Sequence, residues 1–318
     1  PYSVSKILSE NPDTYIPTVF GIPICINLPA ILIVLLITAL LVKGTKDSAK
    51  LASIMVFVKL GVIGLFVVAG AFFVRPENWT PFAPNGFEGI FAGAFLIFFA
   101  YIGFDALATA AEECKNPQKD LPIGIIGSLL ITTIVYVSVA LVLTGMVNTS
   151  GNVPIEFLKA PMVYCMQLAN LDWAAGLIAI GSLAGLTSVL LVMEMAATRI
   201  LYSMSRDHFI SQRFLKIDEK TKTPIFLTWT VGILAICGIL TLDLNIAAEL
   251  CNYGIFTSFI IVCFAVLIMR KKDPNRPRPF KVPFSPVVPI LGILSCGGLM
   301  VYKSMQAGSS AILFPIWL

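Results

Sequence analysis

The chain has 318 residues, of which 57% are hydrophobic and 13% charged, and its mean hydropathy is +0.89. A soluble domain carries about 25% charged residues, so a soluble globular class is excluded. The net charge of +4 follows a topological pattern rather than forming a nucleic-acid face, and the seven cysteines show no CxxC or other metal spacing and read as small core hydrophobes.

Apolar segments long enough to span a bilayer run over 24–42, 51–74, 89–111, 122–147, 173–198, 224–242, 246–269 and 284–302, with a ninth begun at 311. Lipid forces backbone groups to be satisfied within each segment, and these runs are long and do not alternate, so helices are expected rather than a barrel. The fold class is therefore all-α and polytopic. The chain opens at Pro1 without a signal-peptide pattern and stops at Leu318 inside an apolar run, as expected for a piece of a longer protein.

Basic residues set the orientation. Seventeen of the 22 Lys and Arg fall in alternate connections, four (Lys6, Arg75, Lys159 and Lys303) fall on the opposite side, and the remaining one is Lys59. The positive-inside rule puts the richer side in the cytoplasm and the N-terminal stretch outside. The sequons at Asn78 and Asn148 then lie on the outer side, too close to the membrane face to be expected glycosylation sites.

Lys59 is the single Lys or Arg deep within an apolar run, nine residues from Lys50 and sixteen from Arg75. That spacing puts it roughly 13 Å below one surface. One reading is a snorkelling side chain with a packing role; the other is a buried ammonium acting as a proton carrier, which would justify the several kcal/mol that a mid-membrane cation costs.

The third run contains Phe98-Phe99-Ala100-Tyr101-Ile102-Gly103-Phe104-Asp105. Small residues and a glycine beside an acid at membrane depth suit a helix that unwinds and offers backbone groups to a polar ligand; the plainer alternative is a glycine-assisted helix contact. A half-helix starting near Asp105 would aim its positive end at an anionic group, or at the Asp105 carboxylate itself. In the fifth run, Gly181-Ser182-Leu183-Ala184-Gly185-Leu186-Thr187-Ser188 gathers small and hydroxyl-bearing residues. Thr187 and Ser188 are candidate acceptors for an ammonium or a cation, set against a packing face whose hydroxyls bond their own helix. Glu194 and Glu249 are further candidates for a proton path or simply solvated acids. The basic, proline-rich loop 270–281 reads as a positive-inside anchor or a contact for anionic lipid. The one histidine, His208, lies in a connection, and HExxH, GxSxG and Gly-rich phosphate motifs are absent, so an enzyme is not expected.

The stretch FFAYIGFDALATAAEECKNPQKDLPIGI, the Lys59 segment MVFVKLGVIGLFVVAGAFF, and the runs RILYSMSRD and RPFKVPFSPVVPI together resemble the amino acid–polyamine–organocation (APC) superfamily, specifically its cationic amino acid transporter branch. The resemblance implies an inverted-repeat transporter fold with a discontinuous helix, the chain matching helices four to twelve of twelve. It also implies that Lys59 takes the place of a coupling sodium, with Thr187 and Ser188 as hydroxyls of that site. Phe99 would be the aromatic gate over a bound amino acid, Ile102 and Gly103 the unwound section, and Asp105 an acid that senses substrate or protons.

The expected activity is secondary active transport of cationic or broad-range amino acids across the cell membrane, with the proton as coupling ion and no cofactor. The rival is a non-transporting or channel-like membrane subunit. Expected partners are the amino acid substrate, the lipid bilayer and the missing N-terminal helices of the same chain, and no nucleic acid.

Overall fold

The computed structural model describes residues 18–19, 22–23, 28–109, 111, 114–149, 151, 153–221, 223–242, 244–278 and 280–306. The apolar run begun at 311 and Cys25 lie outside the described residues. Apart from a two-residue antiparallel ladder pairing β1 (Thr18–Val19) with β2 (Ile22–Pro23), the described elements are helical.

In chain order the helices are α1 (Leu28–Lys43), α2 (Thr45–Ala71), α3 (Gly86–Phe98), α4 (Ala106–Thr109), α5 (Pro117–Met146), α6 (Ile155–Lys159), α7 (Pro161–Leu168), α8 (Asp172–Arg206), α9 (Ile225–Thr241), α10 (Leu244–Lys272) and α11 (Val287–Gln306). Each of the eight apolar runs contains one of these helices or, in the case of 89–111, an interrupted pair. Six spans are long and apolar enough to cross a membrane, and only 6–22% of their residues are buried inside the protein. Large apolar side chains such as Phe57, Leu130 and Leu183 lie exposed on them. Such a surface demands an apolar solvent, which is what a bilayer supplies. With 16 and 17 residues, α1 and α9 measure roughly 24 and 26 Å, somewhat less than the hydrocarbon core of about 30 Å.

The same inversion corrects the expectation for the cysteines. Cys165 is buried, but Cys237 and Cys251 are exposed on their helices, because an apolar residue facing lipid has no reason to seek the protein core.

The chain divides into two compact units, one formed by residues 1–82 and 130–242, the other by 83–129 and 243–318. In the first, α2 packs along α8, while α1 and α9 pack on α8 and on each other. Its main core joins Phe66, Val142, Met146, Phe157, Cys165, Met166 and Ile178. The connection after α2 is pinned to the end of α5: Asn78 Nδ2 donates to the Gly145 carbonyl (2.8 Å) and Trp79 Nε1 to that of Leu141 (3.2 Å). The Asn78 amide of the sequon thus serves an internal contact.

In the second unit, α10 packs along α11 and both meet α3. Phe95, Tyr253, Phe256 and Met300 form its core. The basic loop after α10 folds back on the helix, with Arg278 Nη2 donating to the carbonyls of Met269 (3.1 Å) and Asp273 (2.6 Å). A guanidinium there adds donors to carbonyls at the helix end, where the Met269 carbonyl also accepts from the Asp273 amide (3.1 Å), and complements the negative dipole end.

Candidate functional site

Lys59 lies on α2 where that helix crosses α8. A methyl group placed on Gly181 would come within 2.6 Å of Val62 Cγ2, and one on Gly185 would lie 3.7 Å from Lys59 Cβ and 3.8 Å from its Cδ. The pair Gly181-x-x-x-Gly185 therefore forms a groove on α8 that receives Val62 and the aliphatic stem of Lys59, the small-residue contact typical of membrane helices. The side chain of Lys59 is half-buried, and among the described residues its ammonium makes no hydrogen bond or ion pair.

Ser188 is buried and donates to the Gly185 carbonyl (2.7 Å), while Thr187 donates to that of Leu183 (2.8 Å). The helical period places Ser188 about 60° around α8 from Gly185 and Thr187 about 160°. Of the two expected hydroxyls, Ser188 thus shares the Lys59 side of α8 and Thr187 lies around the helix from it. Both protons are engaged within α8, which leaves the oxygens as acceptors, the role an ammonium or a cation requires.

In the second unit the expected unwinding is present. Helix α3 ends at Phe98, a 3-10 turn covers Phe99–Tyr101, and the chain resumes as α4 at Ala106. At Phe99 the capping amide turns to the Leu96 and Ile97 carbonyls. Ile102 is extended (φ −58°, ψ 132°) and Gly103 has φ 121°, a backbone region where an L side chain is strained. The Asp105 carboxylate is exposed and accepts from the amides of Gly103 (3.2 Å) and Ala106 (3.1 Å) through Oδ1. It caps the restart of the helix, so the positive end of this short segment is met by Asp105 itself.

Rings on both sides of the break seat it against α10. Phe98 lies 4.3 Å from Phe256 between centroids, and Phe104 lies 5.4 Å from Phe259. Phe99, directly beside Phe98, remains 43% exposed. Phe99 and Asp105 are therefore accessible where Phe98 and Phe104 are structural.

Sequence reasoning missed two residues here. Asn252, almost fully buried on α10, donates through Nδ2 to the Phe95 carbonyl (3.0 Å), one turn before Phe99, while its Oδ1 has no partner among the described residues. Lys303 on α11 pairs with Glu249 at 2.8 Å and lies 5.7 Å from the centroid of the Phe95 ring. Glu249 is thus an ion-pair member rather than an isolated acid. Glu194, in the first unit, is bonded to Thr38 of α1 (2.6 Å). Lys59, Thr187 and Ser188 belong to the first unit, and Phe99, Ile102, Gly103 and Asp105 to the second. Among the described residues no cluster of His, Cys, Asp and Glu is arranged to hold a metal ion.

Comparison with known proteins gives this arrangement its family. Residues 5–317 match the amino acid permease family model. The branched-chain amino acid permease BcaP of Bacillus subtilis is 43% identical over 294 residues, covering 92% of this chain and 62% of that protein. The methylthioribose transporter of the same organism is 39% identical, with 92% and 62% coverage. The chloroplastic cationic amino acid transporter 9 of Arabidopsis thaliana is 36% identical, with 86% and 48% coverage. The chain spans about half to three-fifths of the length of these relatives. They are permeases and transporters, not enzymes, and the match extends over nearly every residue carrying the lysine helix, the interrupted helix and the small-residue groove. This multi-pass membrane chain belongs to the amino acid permease family, within the APC superfamily.

Proposed function

We propose that the protein to which this chain belongs is a secondary active amino acid transporter of the cell membrane, working by alternating access and coupled to protons. The observation that carries the reading is the interruption of the third apolar run between Phe98 and Ala106, where the positive-φ glycine, the redirected Phe99 amide and an exposed acid occur together at membrane depth. Irregular backbone is tolerated at that depth where it lines a site for a polar ligand.

In this reading Phe99 closes over the ligand, Ile102 and Gly103 offer backbone groups to it, and the Lys59 ammonium exchanges the coupling proton beside Ser188. Because Asp105 Oδ1 is committed to two backbone amides, we read the carboxylate as a helix cap and the substrate range as broad rather than cationic.

Uptake of labelled leucine, alanine and lysine by the full-length protein in proteoliposomes, with and without an inward proton gradient, tests the proposal. Saturable, gradient-driven accumulation of all three is expected. Non-saturable flux, or none, would favour a channel-like or non-transporting subunit.

A further inference from the structure

The hydroxyl of Thr38 lies 2.6 Å from Glu194 Oε1 and 2.9 Å from the carbonyl of Val34. A threonine hydroxyl has one proton to give, and both neighbours are acceptors when Glu194 is ionised. The two short contacts are satisfied together when a second proton sits on the carboxyl group: Glu194 then donates to Thr38, and Thr38 to Val34. Thr38 is completely buried, and a methyl group on Gly232 would collide with its Oγ1, so a glycine at 232 lets α9 close over this point.

Among the described residues no ion pair supplies the Glu194 carboxylate with a counter-charge. The titratable and charged groups on the elements packed here are Lys43 at the end of α1, Lys46, Asp47, Lys50 and Lys59 on α2, Cys237 on α9, and Asp172, Arg199, Tyr202 and Arg206 on α8 itself. Arg199 is five residues along the helix, about 140° around it. An unpaired carboxylate at membrane depth is costly, and neutralisation by a proton is the usual escape. Glu194 itself is half-buried.

We propose that Glu194 and Thr38 form a proton-binding site distinct from Lys59. It has two states. With the proton bound, Glu194 donates to Thr38 Oγ1 and the Thr38 hydroxyl points to Val34 O. When the carboxyl group gives its proton to water, forming hydronium, the Thr38 hydroxyl rotates about its C–O bond and donates to Glu194 Oε1. The Val34 carbonyl then relies on its helical backbone bond. In each state the Thr38 hydroxyl has one acceptor for its proton, and the transition moves one proton and one rotor. Helix α8 carries Gly185 over Lys59 on one side, and nine residues further, about 180° around, carries Glu194 against α1 and α9. Lys59 on α2 and Glu194 on α8 are thus set on opposite sides of α8 and face different partners.

The test is a pH-difference infrared spectrum of the full-length protein in lipid, read in the carboxylic-acid carbonyl region. An acid band should appear as pH falls and vanish in Glu194→Gln, which keeps the shape of the side chain. It should shift to higher frequency in Thr38→Val, where the acid loses its acceptor, and return in Thr38→Ser. The band should persist in Lys59→Ala, so a failed coupling model and a failed Glu194 site give different spectra. Survival of every acid band in Glu194→Gln, or a band indifferent to Thr38→Val, would overturn the proposal.

Discussion

The stem of Lys59 lies across Gly185, with Cβ and Cδ at 3.7 and 3.8 Å from where a side chain on that glycine would begin. One turn away, Gly181 meets Val62 at 2.6 Å by the same measure. The two glycines share a groove but differ in tolerance. Gly185→Ala adds a methyl at ordinary contact distance and should leave thermal stability in detergent nearly unchanged. Gly181→Ala forces Val62 or the helix to move and should cost about 1–3 kcal/mol. Equal melting temperatures for the two variants would contradict the packing described.

Phe98 and Phe99 are adjacent rings with different tasks. Phe98 packs at a tilt against Phe256, so Phe98→Ala should destabilise the protein by about 3–5 kcal/mol. Phe99→Ala should melt close to the parent yet raise the apparent KM, and Phe99→Tyr or Phe99→Trp should restore it, since the proposed gate needs a flat ring. Parallel melting curves and uptake kinetics separate the two; unchanged kinetics in Phe99→Ala would leave that ring without a gating role.

Asp105 gives a three-way comparison. An asparagine keeps an oxygen for the Gly103 and Ala106 amides, so Asp105→Asn should transport lysine and alanine to similar degrees, whereas Asp105→Ala loses the cap at a cost of about 0.5–2 kcal/mol and should weaken both. Were the carboxylate instead a partner for cationic side chains, Asp105→Asn would lower lysine uptake selectively, by the equivalent of about 1.5–3 kcal/mol.

What the sequence made legible was whatever one segment displays alone. Lys59 stands out because a cation in an apolar run has no local explanation, and the interruption near Gly103 shows because glycine and an acid break both the hydropathy and the helix. Contacts across the chain leave no such mark. Thr38 and Glu194 are 156 residues apart, and Asn252 and Phe95 157. A threonine inside an apolar helix is indistinguishable from one bonded to its own backbone, and an asparagine near a helix start resembles a solvated residue. The angular offset between Thr187 and the Lys59 side of α8 appears only once Gly185 is known to be the contact point. The cysteines show the converse: apolar character predicts burial in water but not in lipid.

Lys59 carries the central claim, and proton-driven uptake by reconstituted full-length Lys59→Ala and Lys59→Arg proteins tests it most directly. Both variants should insert and fold, because the stem rests on a glycine rather than within the main core. Both should also lose accumulation driven by a proton gradient, alanine for lack of a titrating group and arginine because guanidinium does not release its proton. Concentrative uptake at the parental level by either variant, across the pH range in which the parent works, would contradict the account.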